Sequence, residues 1–120
     1  VFILGSLKQQ ELFRWISHAD IVVVPSLSEG FGIVVGESMA LEKPIVATNS
    51  GGISDFIEDG VDGLMVEAGN AEELQDKISV LLHNPKTGIK LQENAIIKVL
   101  KFDIAHSAAK HMELYKKLID

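Results

Sequence analysis

The chain has 120 residues, 47% of them hydrophobic, with no cysteine and a formal net charge of -6 at pH 7. That is one domain's worth of core-forming sequence. Its acidic balance argues against nucleic acid as a partner, and the missing cysteines exclude disulfides and thiolate metal sites while permitting a reducing compartment. The longest aliphatic run, Ile21 to Val24, is far shorter than the roughly 20 residues of a membrane span, so a cytoplasmic location is expected, peripheral at the membrane at most. Val1 opens directly on a strand-like run, with neither an initiator Met nor a leader. Residues 1–120 therefore read as a single, incomplete domain.

Taken in order, the segments alternate between strand and helix, the pattern of an α/β fold with a parallel sheet covered on both faces. Val1 to Leu4 reads as a buried strand, broken by Gly5 and Ser6. Gln9 to Ala19 has helical spacing through Leu12, Phe13 and Ile16. Ile21 to Val24 is an unbroken β-branched run ended by Pro25, expected inside the sheet because both faces are apolar. Ile33 to Leu41 reads as helix and Pro44 to Thr48 as a short buried strand. Asn49 to Gly52 turns into a short helix around Ile53 to Ile57. Gly60 and Gly63 flank a hairpin-like bend before a fourth strand at Leu64 to Val66. Asn70 with Glu73 three residues on has the form of a capping box, opening a helix that Asn84-Pro85 stops. Two more helices are expected, over Gly88 to Leu100 and Ile104 to Ile119, the latter with Ile104, Ala108, Met112, Tyr115 and Ile119 on one stripe.

The segment from Pro25 to Val46 carries the chemistry. In Ser28-Glu29-Gly30-Phe31-Gly32, two glycines allow positive φ and close approach of a ligand to the main chain. The helix that follows opens with unpaired N–H groups and the positive end of its dipole, a seat for a diphosphate. Glu29 precedes the turn at the carboxyl edge of the sheet, and Glu37 lies about one and a half turns inside the helix. Placed so, the two carboxylates can accept hydrogen bonds from vicinal hydroxyls, Glu37 from a ribose and Glu29 from a sugar. The spacing of eight means nothing alone; its context does, because the pair brackets a Gly-x-Gly turn between strand and helix. Ser50-Gly51-Gly52 follows the carboxyl end of the next strand and can line the same crevice.

The run ADIVVVPSLSEGFGIVVGESMALEKPIVATNSGG, residues 19 to 52, resembles the carboxy-terminal donor-binding domain of GT-B retaining glycosyltransferases of family 4, also called group 1. The likeness extends through GLMVEAGNAEELQDKISVLL, residues 63 to 82. It implies a Rossmann-like three-layer αβα domain in which Glu29 is catalytic and approaches the donor sugar, and Glu37 holds the ribose. The amides of Phe31, Gly32 and Ile33, within the Gly30 to Ile33 turn, would hold the diphosphate. It further implies hexosyl transfer with retention from a UDP-, GDP- or ADP-sugar to a sugar, lipid or polysaccharide acceptor, with no cofactor and no metal. Ser38 and Lys43 depart from the family's usual Ala and Gly. With the usual strand order 3-2-1-4-5-6, Val1 to Leu4 corresponds to the third strand and Ile21 to Val24 to the fourth. The family's upstream basic pair and its acceptor domain have no counterpart here. An exposed sheet edge and a possible dimer through it follow as expectations, as does little or no turnover by the 120 residues alone.

Other residues point elsewhere only weakly. His106 and His111, five apart, face different sides of a helix. His18 and His83 end helices, where they cap carbonyls; Trp15 reads as helix packing, and Asp55 and Glu58 as solvent-facing. An NAD-dependent oxidoreductase is disfavoured because glycines 30, 32 and 36 give G-x-G-x-x-x-G and no acidic residue closes the next strand. A non-catalytic interaction domain and a GT-B nucleotide-sugar epimerase remain the alternatives.

Overall fold

A strand whose two faces are both apolar is stable only when helices cover both sides of its sheet, and the computed structural model has this arrangement around one such strand. The structure describes residues 1–28, 32–101, 113, 116 and 117. Its elements are α1 (Gln9–His18), β1 (Val22–Val24), α2 (Ile33–Ala40), β2 (Ile45–Thr48), α3 (Ile53–Phe56), β3 (Leu64–Val66), α4 (Ala71–His83) and α5 (Pro85–Val99). The three strands are parallel in the order β1-β2-β3, with Val23 opposite Val46 and Ala47 opposite Met65. Every residue of β2 is buried. Alternation sends Ile45 and Ala47 to one face, where they pack with Val35 and Met39 of α2, Ile53 of α3, and Ala95 and Val99 of α5. Val46 faces the other way, toward Leu81 of α4 and Leu91 of α5. Thus α5 contributes to both helical layers and closes a three-layer α/β sandwich of the Rossmann-like kind.

Local signals account for most boundaries. Asn70 accepts the Glu73 amide at 3.0 Å, but the Glu73 carboxylate turns to the Glu67 amide, also at 3.0 Å, so only half of the expected capping box forms. Pro85 stops α4 and itself begins α5, three residues before the expected start at Gly88, since proline is favoured at the first helical position. His18 and His83 each place Nδ1 2.8 Å from the carbonyl four residues back, Arg14 and Ser79 respectively, in the last turn of their helices. Asp55 and Glu58 are exposed. Among the described residues no helix is long and apolar enough to cross a membrane.

Four expectations are corrected. Val1 to Leu4 forms no strand and lies exposed, Phe2 at 88% and Ile3 at 93%; its composition suits a sheet, but no described strand pairs with it. For the same reason β1 is an edge strand among the described residues, not an interior one. The Gly60–Gly63 bend is no hairpin: it returns the chain to a parallel strand, with the Asp59 carboxylate accepting the Met65 amide at 2.9 Å. Trp15 is 53% exposed, because α1 buries its Phe13 and Ile16 face instead. The expected helix over Ile104 to Ile119, with His106 and His111, lies outside the described residues apart from Glu113, Lys116 and Lys117.

Two local features were not legible beforehand. The turn between α2 and β2 has its left-handed position at Glu42, φ 58°, rather than at Lys43. Ser38, where the resemblance leads one to expect Ala, is fully buried and satisfies its hydroxyl by donating to the Val34 carbonyl at 2.7 Å. Across the molecule, Asp62 is 3% exposed and accepts both the Glu58 amide, at 2.8 Å, and the Lys98 ammonium. Lys98 also donates to the Phe56 carbonyl at 2.8 Å, tying α5 to the end of α3 and, through Asp62, to the loop that leads into β3.

Two stability measurements follow. Glu42→Gly relieves a left-handed conformation that a Cβ opposes and should raise stability by about 1 kcal/mol in denaturant unfolding. Lys98→Met should lower it by roughly 2 kcal/mol, below the roughly 3–5 of a fully buried pair, because Lys98 keeps a quarter of its surface in water. A Lys98→Met variant as stable as the parent would show that Asp62 is held by the Glu58 amide alone.

Candidate functional site

The carboxyl ends of β1 and β2 are held together by hydroxyls. Thr48, 3% exposed at the end of β2, donates to the Ser26 carbonyl just past β1, and Ser50 Oγ donates to the same carbonyl at 3.2 Å. The Asn49 amide donates to Val66 O at 2.7 Å, so the exits of all three strands are joined. The bond between Thr48 and Ser26 was not foreseen from the sequence, where Thr48 reads only as the end of a strand and Ser26 as a serine with no His partner for nucleophilic catalysis. A threonine closing a four-residue buried strand is the signal that could have found it, since its buried hydroxyl requires a partner.

From this anchored exit the chain passes to Gly32. Glu29, Gly30 and Phe31, the predicted catalytic residue and the first part of the turn, lie outside the described residues. Gly32 is buried and takes φ 63°, a left-handed conformation that glycine adopts without a Cβ penalty. Its carbonyl accepts the amides of Val35, at 3.0 Å, and Gly36, at 3.2 Å, which begins the α2 ladder. The amides of Ile33 and Val34 precede any acceptor within the helix and mark the positive end of its dipole. That end is open: Ile33 is 49% exposed and Leu27, on the approach, 76%.

The second predicted segment comes to the same place. A Cβ built on Gly32 would stand 3.5 Å from both the backbone and the side chain of Ile53, which follows directly on Ser50-Gly51-Gly52. Gly51 is exposed with φ 50°, and the Gly51 carbonyl accepts the Ser54 hydroxyl at 3.0 Å. The starts of α2 and α3 thus meet beside the ends of β1 and β2, with Gly32, Ile33, Ser50, Gly51 and Gly52 gathered there. Glu37 stands farther along α2, half-buried, and its Oε1 accepts a hydrogen bond from Gln9 Nε2 at 3.2 Å. Gln9 is a residue that sequence reasoning did not single out. A separate apolar cleft of about 150 Å³ runs between Thr48, Val66 and the start of α4; of the predicted site residues it contains none. Among the described residues no cluster of three or more His, Asp or Glu is arranged to hold a metal ion.

Residues 1–98 match the family model of the glycosyl transferases of group 1. The chain belongs to that family. An uncharacterized glycosyltransferase of Methanocaldococcus jannaschii is 35% identical over 118 residues, which are 98% of this chain and 34% of the relative. The C-terminal domain of the group 1 protein LpcC from Francisella tularensis superposes with a TM-score of 0.75 at 31% identity, over 82% of this chain and 51% of that one. HepE of Anabaena, solved in complex with UDP-glucose, superposes with a TM-score of 0.72 at 27% identity, covering 87% of this chain and 29% of HepE. The chain therefore spans about a third of the curated relative from M. jannaschii. Its parallel sheet and flanking helices are those of a GT-B domain.

The left-handed seat of α2 is open to test. Gly32→Ala meets only ordinary contacts at 3.5 Å from Ile53 and Phe56, so its cost is conformational and should be about 1–2 kcal/mol in thermal or denaturant unfolding. A stability equal to the parent's would show that the turn tolerates a Cβ and that Gly32 is not needed for its φ.

Proposed function

We propose that this chain supplies the donor-binding part of a glycosyltransferase that moves a hexosyl group from a nucleoside diphosphate sugar with retention of anomeric configuration. The observation that carries the reading is the open, glycine-headed start of α2 at the carboxyl edge of a parallel sheet, in a chain of the group 1 family. The UDP-glucose complex of the structural relative HepE supports the choice of ligand class.

In this reading the amides of Phe31, Gly32 and Ile33 and the α2 dipole hold the diphosphate. They stabilise the charge that grows on it as the glycosidic bond breaks, donors fixed in advance being worth more than mobile water. Glu37 accepts the ribose hydroxyls. Glu29 orients the sugar and stabilises positive charge developing at the anomeric carbon, while Gly30 lets the donor approach the main chain. Ser50, Gly51 and Gly52 line the facing wall, where the absence of a Cβ at the two glycines leaves room for phosphate oxygens. The acceptor, a sugar, lipid or polysaccharide, and the cations that would offset the diphosphate come from outside these 120 residues. A cytoplasmic setting and pairing of copies through the outer edge of β1 belong to the same proposal.

Two variants of the intact protein separate the roles. Glu37→Gln should weaken donor and free nucleotide together, raising KM with little change in kcat, because the ribose is held equally in ground and transition states. Glu29→Gln should lower kcat by about tenfold or more, equivalent to about 1.4 kcal/mol of transition-state stabilisation. Kinetics unchanged in both variants would remove the basis of the assignment.

A further inference from the structure

We propose that Gln9 is a positioning residue for Glu37, and hence a determinant of nucleotide affinity that the Glu29–Glu37 segment does not contain. The inference rests on the reading of Glu37 as the ribose-binding carboxylate.

The geometry begins with α1. Gln9, Phe13 and Ile16 fall on one stripe at the i, i+4, i+7 spacing, and Phe13 and Ile16 are 3% and 6% exposed. The buried pair fixes the rotation of α1, which sets Gln9 at the rim of the core one turn before Phe13. From there its amide nitrogen reaches Glu37 Oε1 at 3.2 Å, across 28 residues of sequence. Glu37 Oε2 receives no described side-chain donor.

The chemistry of this donor suits the task. A carboxylate on an exposed helix face samples several rotamers, and holding it in one costs entropy that a ligand would otherwise have to supply. Gln9 holds one oxygen and leaves the other for a hydroxyl. Being neutral, the amide does so without cancelling the negative charge that makes Glu37 a strong acceptor, as a lysine in the same place would. Among the described residues the Gln9 side chain makes no other hydrogen bond and supports no backbone group, so its removal should spare the fold.

The test uses the intact protein, titrated with UDP, the nucleotide moiety bound by HepE, and with GDP and ADP in parallel. Gln9→Met keeps the length of the side chain and removes the donor. It should weaken binding of the preferred nucleotide roughly three- to tenfold, the range of one such hydrogen bond, and raise the donor KM with kcat and unfolding midpoint unchanged. Gln9→Glu sets two carboxyls together. It should weaken binding more at pH 8 than at pH 5, because at the lower pH a shared proton restores the bond. A purely structural residue would not produce that pH-dependent gap between variant and parent. If Glu37→Gln weakens binding but both Gln9 variants bind as the parent does, at either pH, the positioning role is wrong and the ribose reading stands. If Glu37→Gln, or the parent itself, shows no nucleotide-dependent effect, the ribose reading falls and this proposal with it.

Discussion

The structure depends on the burial of β2. A strand without a solvated residue must pair on both edges and be covered on both faces, since its peptide groups have no water to turn to. Ile45 to Thr48 meets the requirement with β1 and β3 on its edges, α2, α3 and part of α5 on one face, and α4 with the rest of α5 on the other. The carboxyl end of β2 is therefore held on every side. Thr48 and Ser50 transmit that rigidity to Ser26, and through it to the exit of β1 from which the glycine turn departs. The proposed donor site, made largely of main-chain amides, would benefit from this, because donors on a fixed backbone need no reorganisation when charge appears.

The relation of α2 to its surroundings shows how the site combines rigidity with access. Val35, Met39 and Ala40 are buried against the sheet, while Ile33 and Val34 at the helix start remain exposed. In the proposed donor-binding reading a bound ligand would cover these two residues. The meeting of α2 with α3 at Gly32 and Ile53 puts the second glycine pair opposite this mouth.

Much of the element order was legible in the sequence, and for local reasons. β-branched runs beside Pro placed β1 and β2, the bend at Gly60 and Gly63 placed β3, and the Asn70 and Asn84-Pro85 signals placed α4 within a residue or so. Errors arose where a local signal needed a remote partner. Val1 to Leu4 has the composition of a strand, yet composition supplies no neighbour to pair with. Trp15 was assigned to packing by its type, whereas the rotation of α1 was settled by Phe13 and Ile16. The left-handed position of the α2–β2 turn falls on Glu42, which only backbone geometry reveals. The site divides in the same way: Gly32, Glu37 and Ser50 to Gly52 could be singled out from motif and context, while Gln9, Ser26 and Thr48 could not.

What the sequence determined by itself is the chemistry on offer. It encodes a glycine turn that can only favour close approach of a ligand, a helix start that can only favour an anion, and carboxylates that can only accept hydrogen bonds at neutral pH. Which of these groups act together was decided by tertiary structure. Gly32 lies beside Gly52-Ile53, Thr48 beneath Ser26, and Gln9 against Glu37, because burial of β2, Phe13 and Ile53 leaves α1, α2 and α3 one way to pack. Sequence spacing records neighbours along the chain; a site is assembled from neighbours across it, and hydrophobic burial chooses those.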